Sequence, residues 1–275
     1  MRTPTEGHET KPDRGRLLRR TVDGGGQHAY YLYRPAKPAG RPKILVLIHG
    51  VSRNAREHMK VFQPYAERDG VTLVAPLFDE DHFRGYQRLG LNPRAERGNR
   101  ADLSLHRILE EIGAPAGMPA GRFHLFGHSG GAQFAHRYAM AYPEHVIRYA
   151  ISAAGWYTMP DLAVAYPHGM RVGKKAPGLR LDIERFLRIP ACVLVGANDV
   201  ERDATFKKSA FLDATQGRTR IERAERWVGA MTTAARWRGL DTPFALHVLP
   251  RAGHDFTELA KQGALAEVVF RCLFD

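Results

Sequence analysis

Cysteine is nearly absent, with two in 275 residues. Such a chain cannot be a disulfide-stapled scaffold. Cys192 and Cys272 also lie too far apart in sequence to show metal-ligand spacing, and each reads as a small buried hydrophobe. Long apolar runs are missing as well. The longest, such as Ile44–Ile48, are strand-sized and fall well short of the ~20 residues that span a bilayer, so no membrane insertion is expected. Acidic residues are in deficit, 29 against 41 basic ones, which leaves a net charge of +12. The surplus is scattered (Arg14, Arg53, Arg94, Arg137, Arg188, Arg251) and is not gathered with aromatics into a nucleic-acid module. It reads as a solvated surface with no nucleic-acid partner. The polar stretch Met1–Arg20 has no apolar signal core, and a cytoplasmic location is the expectation.

There is no internal repeat, low-complexity tract or break in composition. With 44% hydrophobic and 25% charged residues, the chain has the make-up of a folded globular protein. Residues 1–15 read as a flexible tail and residues 16–275 as a single domain. Two strand-like stretches, Leu17–Val22 and His28–Arg34, flank the turn signal Asp23-Gly24-Gly25-Gly26 and predict an antiparallel hairpin. From Ile44 onward the pattern changes. Continuous apolar runs at 44–48, 71–75, 123–126, 147–153, 191–195 and 244–249 predict strands buried on both faces. Helical periodicity appears between or after them at 58–68, 102–112, 132–142, 221–236 and 256–274. Alternation of this kind predicts an α/β fold with a mostly parallel, doubly wound sheet. The long segment at about 155–188 breaks the alternation and reads as a short cap insertion with one or two short helices.

The run Phe123-His124-Leu125-Phe126 leads directly into Gly127-His128-Ser129-Gly130-Gly131, and a helical pattern follows. Strand, G-x-S-x-G and helix together define a nucleophile elbow. A serine hydroxyl needs a base, and the base needs an orienting acid. On this architecture both follow later strands, in the order Ser, acid, His. Asp199 stands after the 191–195 strand and His254 after the 244–249 strand, so the expected set is Ser129, His254 and Asp199. Asp203 and Asp255 compete for the acid role, although Asp255 better suits a helix N-cap. The oxyanion hole is expected from the N–H groups of Gly130 and of Val51, in the loop His49-Gly50-Val51-Ser52-Arg53-Asn54; Gly50 is the alternative to Val51. His49 itself reads as a brace for that loop's backbone. Trp156, Tyr157 and His128 are candidate pocket residues. The acidic loop Phe78–Phe83 with His82 reads as solvated, and neither a metal nor an organic cofactor is expected.

These motifs resemble the α/β-hydrolase superfamily. More narrowly, His49–Ala55, Gly127–Phe134 and Ala154-Gly155-Trp156-Tyr157 are similar to a bacterial branch near the poly(3-hydroxybutyrate) depolymerase-like and feruloyl-type esterases. The resemblance implies an α/β-hydrolase fold and hydrolysis of small-molecule carboxylic esters through a Ser129–His254–Asp199 catalytic triad and an acyl-enzyme. The triad alone also fits a peptidase or thioesterase, and a non-catalytic binding protein on the same fold is the alternative from another class. A homo-oligomer is compatible with the sequence.

Overall fold

A computed structural model describes residues 13–22, 27–37, 40, 42–91, 99–113, 122–174, 176 and 178–275. Residues 1–12 of the expected tail and the Asp23–Gly26 turn signal lie outside these. Among the described residues, eight strands form one sheet: β1 (Leu17–Thr21), β2 (Ala29–Tyr33), β3 (Lys43–Ile48), β4 (Val71–Pro76), β5 (Phe123–His128), β6 (Val146–Ser152), β7 (Ala191–Gly196) and β8 (Phe244–Leu249). Their order is β1-β2-β4-β3-β5-β6-β7-β8. β1 and β2 run antiparallel to their neighbours, and β3 to β8 are parallel. The sheet is therefore the mostly parallel one expected, with the antiparallel pair at its first edge.

Parallel strands need crossovers, and the helices supply them. They are α1 (Ala55–Asp69), α2 (Ala101–Gly113), α3 (Gly130–Ala141), α4 (Ile183–Phe186), α5 (Ala210–Thr215), α6 (Arg220–Arg236), α7 (Phe256–Gln262) and α8 (Leu265–Phe274). One face of the sheet buries Val46, Ile48, Leu125 and Val193 with Phe134, Tyr138 and Trp227 of α3 and α6. The other buries Leu45, Leu47, Phe126 and Leu194 with Met59, Phe62, Val269 and Phe270 of α1 and α8. Alternate residues of the same strands feed the two cores, which is why these strands are apolar throughout.

Two expectations need correction. Residues 256–274 form two helices, because Gly263 and Ala264 (φ 50°) break the run. A Cβ on Gly263 would lie 3.0 Å from the Leu249 Cβ, so the close approach of α7 to β8 favours glycine there. β8 is not buried on both faces. As the last strand of the sheet it is half-exposed, and only Leu249 is buried. Among the described residues of 155–188 there is one short helix, α4, and an Ala165–Arg171 bridge ties the turns before it.

The chain steps from β3 to β4 on one side and later returns to β5 on the other. That reversal opens a crevice beyond the C-terminal strand ends, the place where open α/β sheets bind ligands. The loops after β3, β5, β7 and β8 all reach this edge.

His49, His58, His128 and His136 are buried, none more than 4% exposed. Burial holds the His49 imidazole down to about 4, and it pushes the other three well below their ordinary value. The unfolded chain takes up these protons near pH 6.5 while the folded one refuses them. Stability is therefore full above about pH 6.5 and falls as the pH drops toward 4. His49 alone accounts for on the order of 3 kcal/mol of that loss. Thermal melts between pH 8 and 4.5 are expected to be flat from these groups above pH 7 and to fall steeply below 6.5. A melting temperature unchanged down to pH 4.5 contradicts this.

Candidate active site

Ser129 stands between β5 and α3 with φ 53° and ψ −111°, a strained left-handed conformation for a residue with a Cβ. Its N–H donates to the Ser152 carbonyl at 2.8 Å, and its own carbonyl accepts from Gln133 N–H at 3.2 Å. These bonds hold the turn against its strain. The flanking glycines are steric requirements. A Cβ on Gly127 would lie 2.2 Å from the Gly131 carbonyl oxygen, and one on Gly131 would lie 2.1 Å from that of Ile48. Both obstacles are backbone and cannot swing aside. Gly131→Ala is expected to force β3 and α3 apart and to cost at least about 3 kcal/mol. Chemical denaturation measures this, and a loss under 1 kcal/mol contradicts the packing argument.

Three expected residues come together at the crevice. The Ser129 hydroxyl lies 3.1 Å from His254 Nε2, and His254 Nδ1 lies 3.0 Å from Asp199 Oδ2. Asp199 is 2% exposed. Its other oxygen, Oδ1, accepts from Arg220 Nη1 at 2.8 Å. Arg220, equally buried, is the first residue of α6; its Nη2 donates to Thr205 Oγ1 at 2.9 Å, and its guanidinium lies over the Phe206 ring. Sequence reasoning missed Arg220. In a chain with many arginines, a basic residue opening a helix looks like surface charge. The two competing acids do other work. Asp203 Oδ1 caps the turn at Thr205 and Phe206. Asp255 is the N-cap of α7, accepting from Glu258 N–H at 3.0 Å.

The loop after β3 lies beside the nucleophile. A Cβ on Gly50 would be 3.6 Å from that of Ser129, and the Val51 side chain borders Gly130. The Gly50 carbonyl accepts from Arg53 N–H at 3.1 Å and lies 2.8 Å from His49 Nδ1. In a trans peptide the N–H points opposite to the carbonyl, so the Val51 N–H is turned away from these partners. Gly130 N–H, at the first helical position, has no intrahelical acceptor. His49 Nε2 accepts from Phe78 N–H at 2.9 Å, which puts the ring's one proton on Nδ1, where it donates to Gly50. The Tyr86 hydroxyl, in the turn Tyr86–Arg88, donates to the His49 carbonyl at 2.9 Å. Tyr86 gave no sequence signal, because its turn lies far from the loop it braces.

A solved poly(aspartic acid) hydrolase-1 from Sphingomonas sp. KT-1 superposes with a TM-score of 0.76. It is 26% identical, over 95% of this chain and all of that one. The fold is that of the α/β hydrolases. The poly(3-hydroxybutyrate) depolymerase LpqC from Bordetella parapertussis matches at a TM-score of 0.74 and 26% identity, over 95% of this chain and 92% of that one. Feruloyl esterase B of Talaromyces funiculosus is 26% identical over 126 residues, which is 44% of this chain; the chain spans about a third (35%) of that relative's length. No family model matches.

On this α/β-hydrolase fold the remaining pocket candidates lie deeper than the sequence suggests. Tyr157 is a core residue. It is 1% exposed, stacks on Trp227, and its backbone is bonded on both sides by the Gln216 amide. His128 packs beneath the site against His254 and Phe256 and is 4% exposed. Trp156 is at the margin, with the buried Arg137 guanidinium 4.2 Å from its ring centre and the His168 ring at 4.9 Å. Beyond His168 lies a cavity of about 650 Å³ lined by Met159, Leu162, Val164, His168 and Phe211 among others. Ser129, Asp199 and His254 do not line it. In the acidic loop, Asp79 Oδ1 accepts from the backbone and ring of His82, a local turn contact.

Proposed function

We propose that this chain is a serine hydrolase that cleaves carboxylic esters of small molecules through an acyl-enzyme on Ser129. The observation that carries the reading is the unbroken chain from the Ser129 hydroxyl through the His254 imidazole to the buried Asp199 carboxylate, set on a strained elbow. The relatives named above, a polyester depolymerase and a feruloyl esterase, support ester chemistry.

Ser129 Oγ attacks the ester carbonyl carbon while His254 Nε2 takes its proton. Asp199 accepts from His254 Nδ1–H, keeping Nε2 as the base and stabilising the imidazolium that forms. Arg220 donates to the other carboxylate oxygen of Asp199 and keeps it aimed. The N–H groups of Gly130 and Val51 bind the oxyanion. His254 then gives its proton to the leaving alcohol, and a water molecule, activated in the same way, releases the acid. Residues 16–275 act as one domain in this reading, with 155–188 covering the crevice. No helix among the described residues is long and apolar enough to cross a membrane.

Amide cleavage is the second reading, favoured by the similarity to a poly(aspartic acid) hydrolase. It uses the same residues with an amine as the leaving group.

The test is pre-steady-state kinetics with p-nitrophenyl esters from acetate to decanoate, alongside the matching p-nitroanilides. Ester hydrolysis with a burst of one equivalent per enzyme is expected. Folded protein that turns over the anilides alone supports the second reading, and turnover of neither class contradicts both. Val51→Pro removes one oxyanion donor and is expected to lower kcat on the order of 100-fold with the fold retained. Unchanged kcat removes Val51 from the oxyanion hole.

A further inference from the structure

Cys192 and Cys272 are not isolated, as their spacing in the sequence suggests. Cys192 is the second residue of β7. The register pairs Leu194 of β7 with His247 of β8. Side chains two apart on a strand share a face, so Cys192 and His247 stand on the same side of the sheet. α8 packs on that side, and Cys272 sits in its last turn. The Cys192 Sγ, Cys272 Sγ and a His247 ring nitrogen all lie within 4.8 Å of one another. The closest pair, Cys272 Sγ and His247 Nε2, is 3.4 Å apart. Arg148 Nη1 donates to the Cys272 carbonyl at 3.3 Å and fixes the end of the helix.

We propose that Cys192, His247 and Cys272 form a binding site for a thiophilic divalent metal ion of the zinc class. Two sulfurs and an imidazole nitrogen select Zn²⁺ over Mg²⁺ or Ca²⁺, which take oxygen ligands. The spacing suits the ion. With Zn–S of about 2.3 Å and Zn–N of about 2.0 Å, tetrahedral geometry puts sulfur about 3.5 Å from nitrogen and the two sulfurs about 3.8 Å apart. The S···N separation of 3.4 Å already meets the first figure, and the 4.8 Å limit brings the second within a rotamer adjustment. Binding releases the two thiol protons to solvent, and the two thiolates balance the charge of the ion. All three residues are half-buried, which leaves the fourth position to water. Cys192 lies toward the start of β7 and Asp199 follows its end, so the ion takes no part in the chemistry at Ser129. It clips α8 to β7 and β8. The site stands independently of the esterase reading.

The experiment is a Co²⁺ titration of the full chain, kept reduced with a phosphine, with Zn²⁺ as competitor. One equivalent of Co²⁺ is expected to produce thiolate-to-cobalt charge-transfer absorption and a tetrahedral visible band, both bleached by one equivalent of Zn²⁺. Cys192→Ser, Cys272→Ser and His247→Gln should each weaken binding at least tenfold. Far- and near-ultraviolet circular dichroism shows whether each variant is folded, without relying on any activity. A second readout is thermal: Zn²⁺ should raise the melting temperature of the wild type and leave that of Cys192→Ala/Cys272→Ala unmoved. Folded wild type that binds Co²⁺ without charge-transfer absorption overturns the proposal, since that is adventitious binding to other histidines. So does folded His247→Gln that binds as tightly as the wild type.

Discussion

Ser129→Ala is expected to lower kcat/KM for p-nitrophenyl acetate by on the order of 10⁴-fold or more and to abolish the burst. The alanine keeps the φ 53° turn and its bonds to Ser152 and Gln133 but cannot form the acyl bond. The residual rate, supplied by binding and the oxyanion donors, should stay above the rate in water. KM should change little, because the hydroxyl acts on the reacting carbon and not on the rest of the ester. Stability should hold or rise slightly, since the hydroxyl bonds to the half-buried His254 ring and not to the backbone of the turn. A variant that keeps a tenth of wild-type activity places the chemistry elsewhere.

Asp199→Asn has the next largest effect, and it separates two roles of one carboxylate. Oδ2 meets His254 Nδ1 at 3.0 Å and Oδ1 meets Arg220 at 2.8 Å. An amide can turn its oxygen to only one of them. Facing Arg220, it presents N–H to His254 and reverses the imidazole tautomer, so that Nε2 carries the proton and cannot accept one from Ser129. The expected loss in kcat is on the order of 10⁴-fold. Arg220 also loses the nearer of its two carboxylate partners, with only Asp203 left at 3.6 Å, at a cost of up to about 3 kcal/mol. Arg220→Met should show the converse: a smaller kinetic effect with a mobile Asp199, and a measurable loss of stability unless Phe206 closes over the gap. Paired kinetics and denaturant melts check both variants. Asp199→Asn with full activity removes Asp199 as the orienting acid, and the nearby Asp203 does not reach His254 in this arrangement.

What could be read from the sequence was what local pattern controls. The apolar run at 44–48 reads as a doubly buried strand because both of its faces are packed, and that is how β3 sits. Ser129, Asp199 and His254 each follow a strand that ends at the same sheet edge, so an order of strands and loops was enough to bring them within hydrogen-bonding reach. The features that stayed hidden depend on pairing in three dimensions. β8 resembles the inner strands in composition, and only its place at the end of the sheet exposes it. Arg220 reaches Asp199 from the far side of α5, and Tyr86 reaches His49 from another loop; neither contact has a sequence period. Tyr157 adjoins the crevice in sequence, yet its side chain turns into the core against Trp227. Cys192, His247 and Cys272 become neighbours through strand register and the docking of α8, which no spacing rule encodes.

The central claim is that Ser129 is a nucleophile activated by His254. Labelling with a fluorophosphonate, followed by intact mass measurement and peptide mapping, tests it most directly. The account predicts one adduct per chain, on Ser129, with none in Ser129→Ala and labelling slowed at least 100-fold in His254→Ala. Folded wild type that stays unmodified, or an adduct on any other residue, would contradict it.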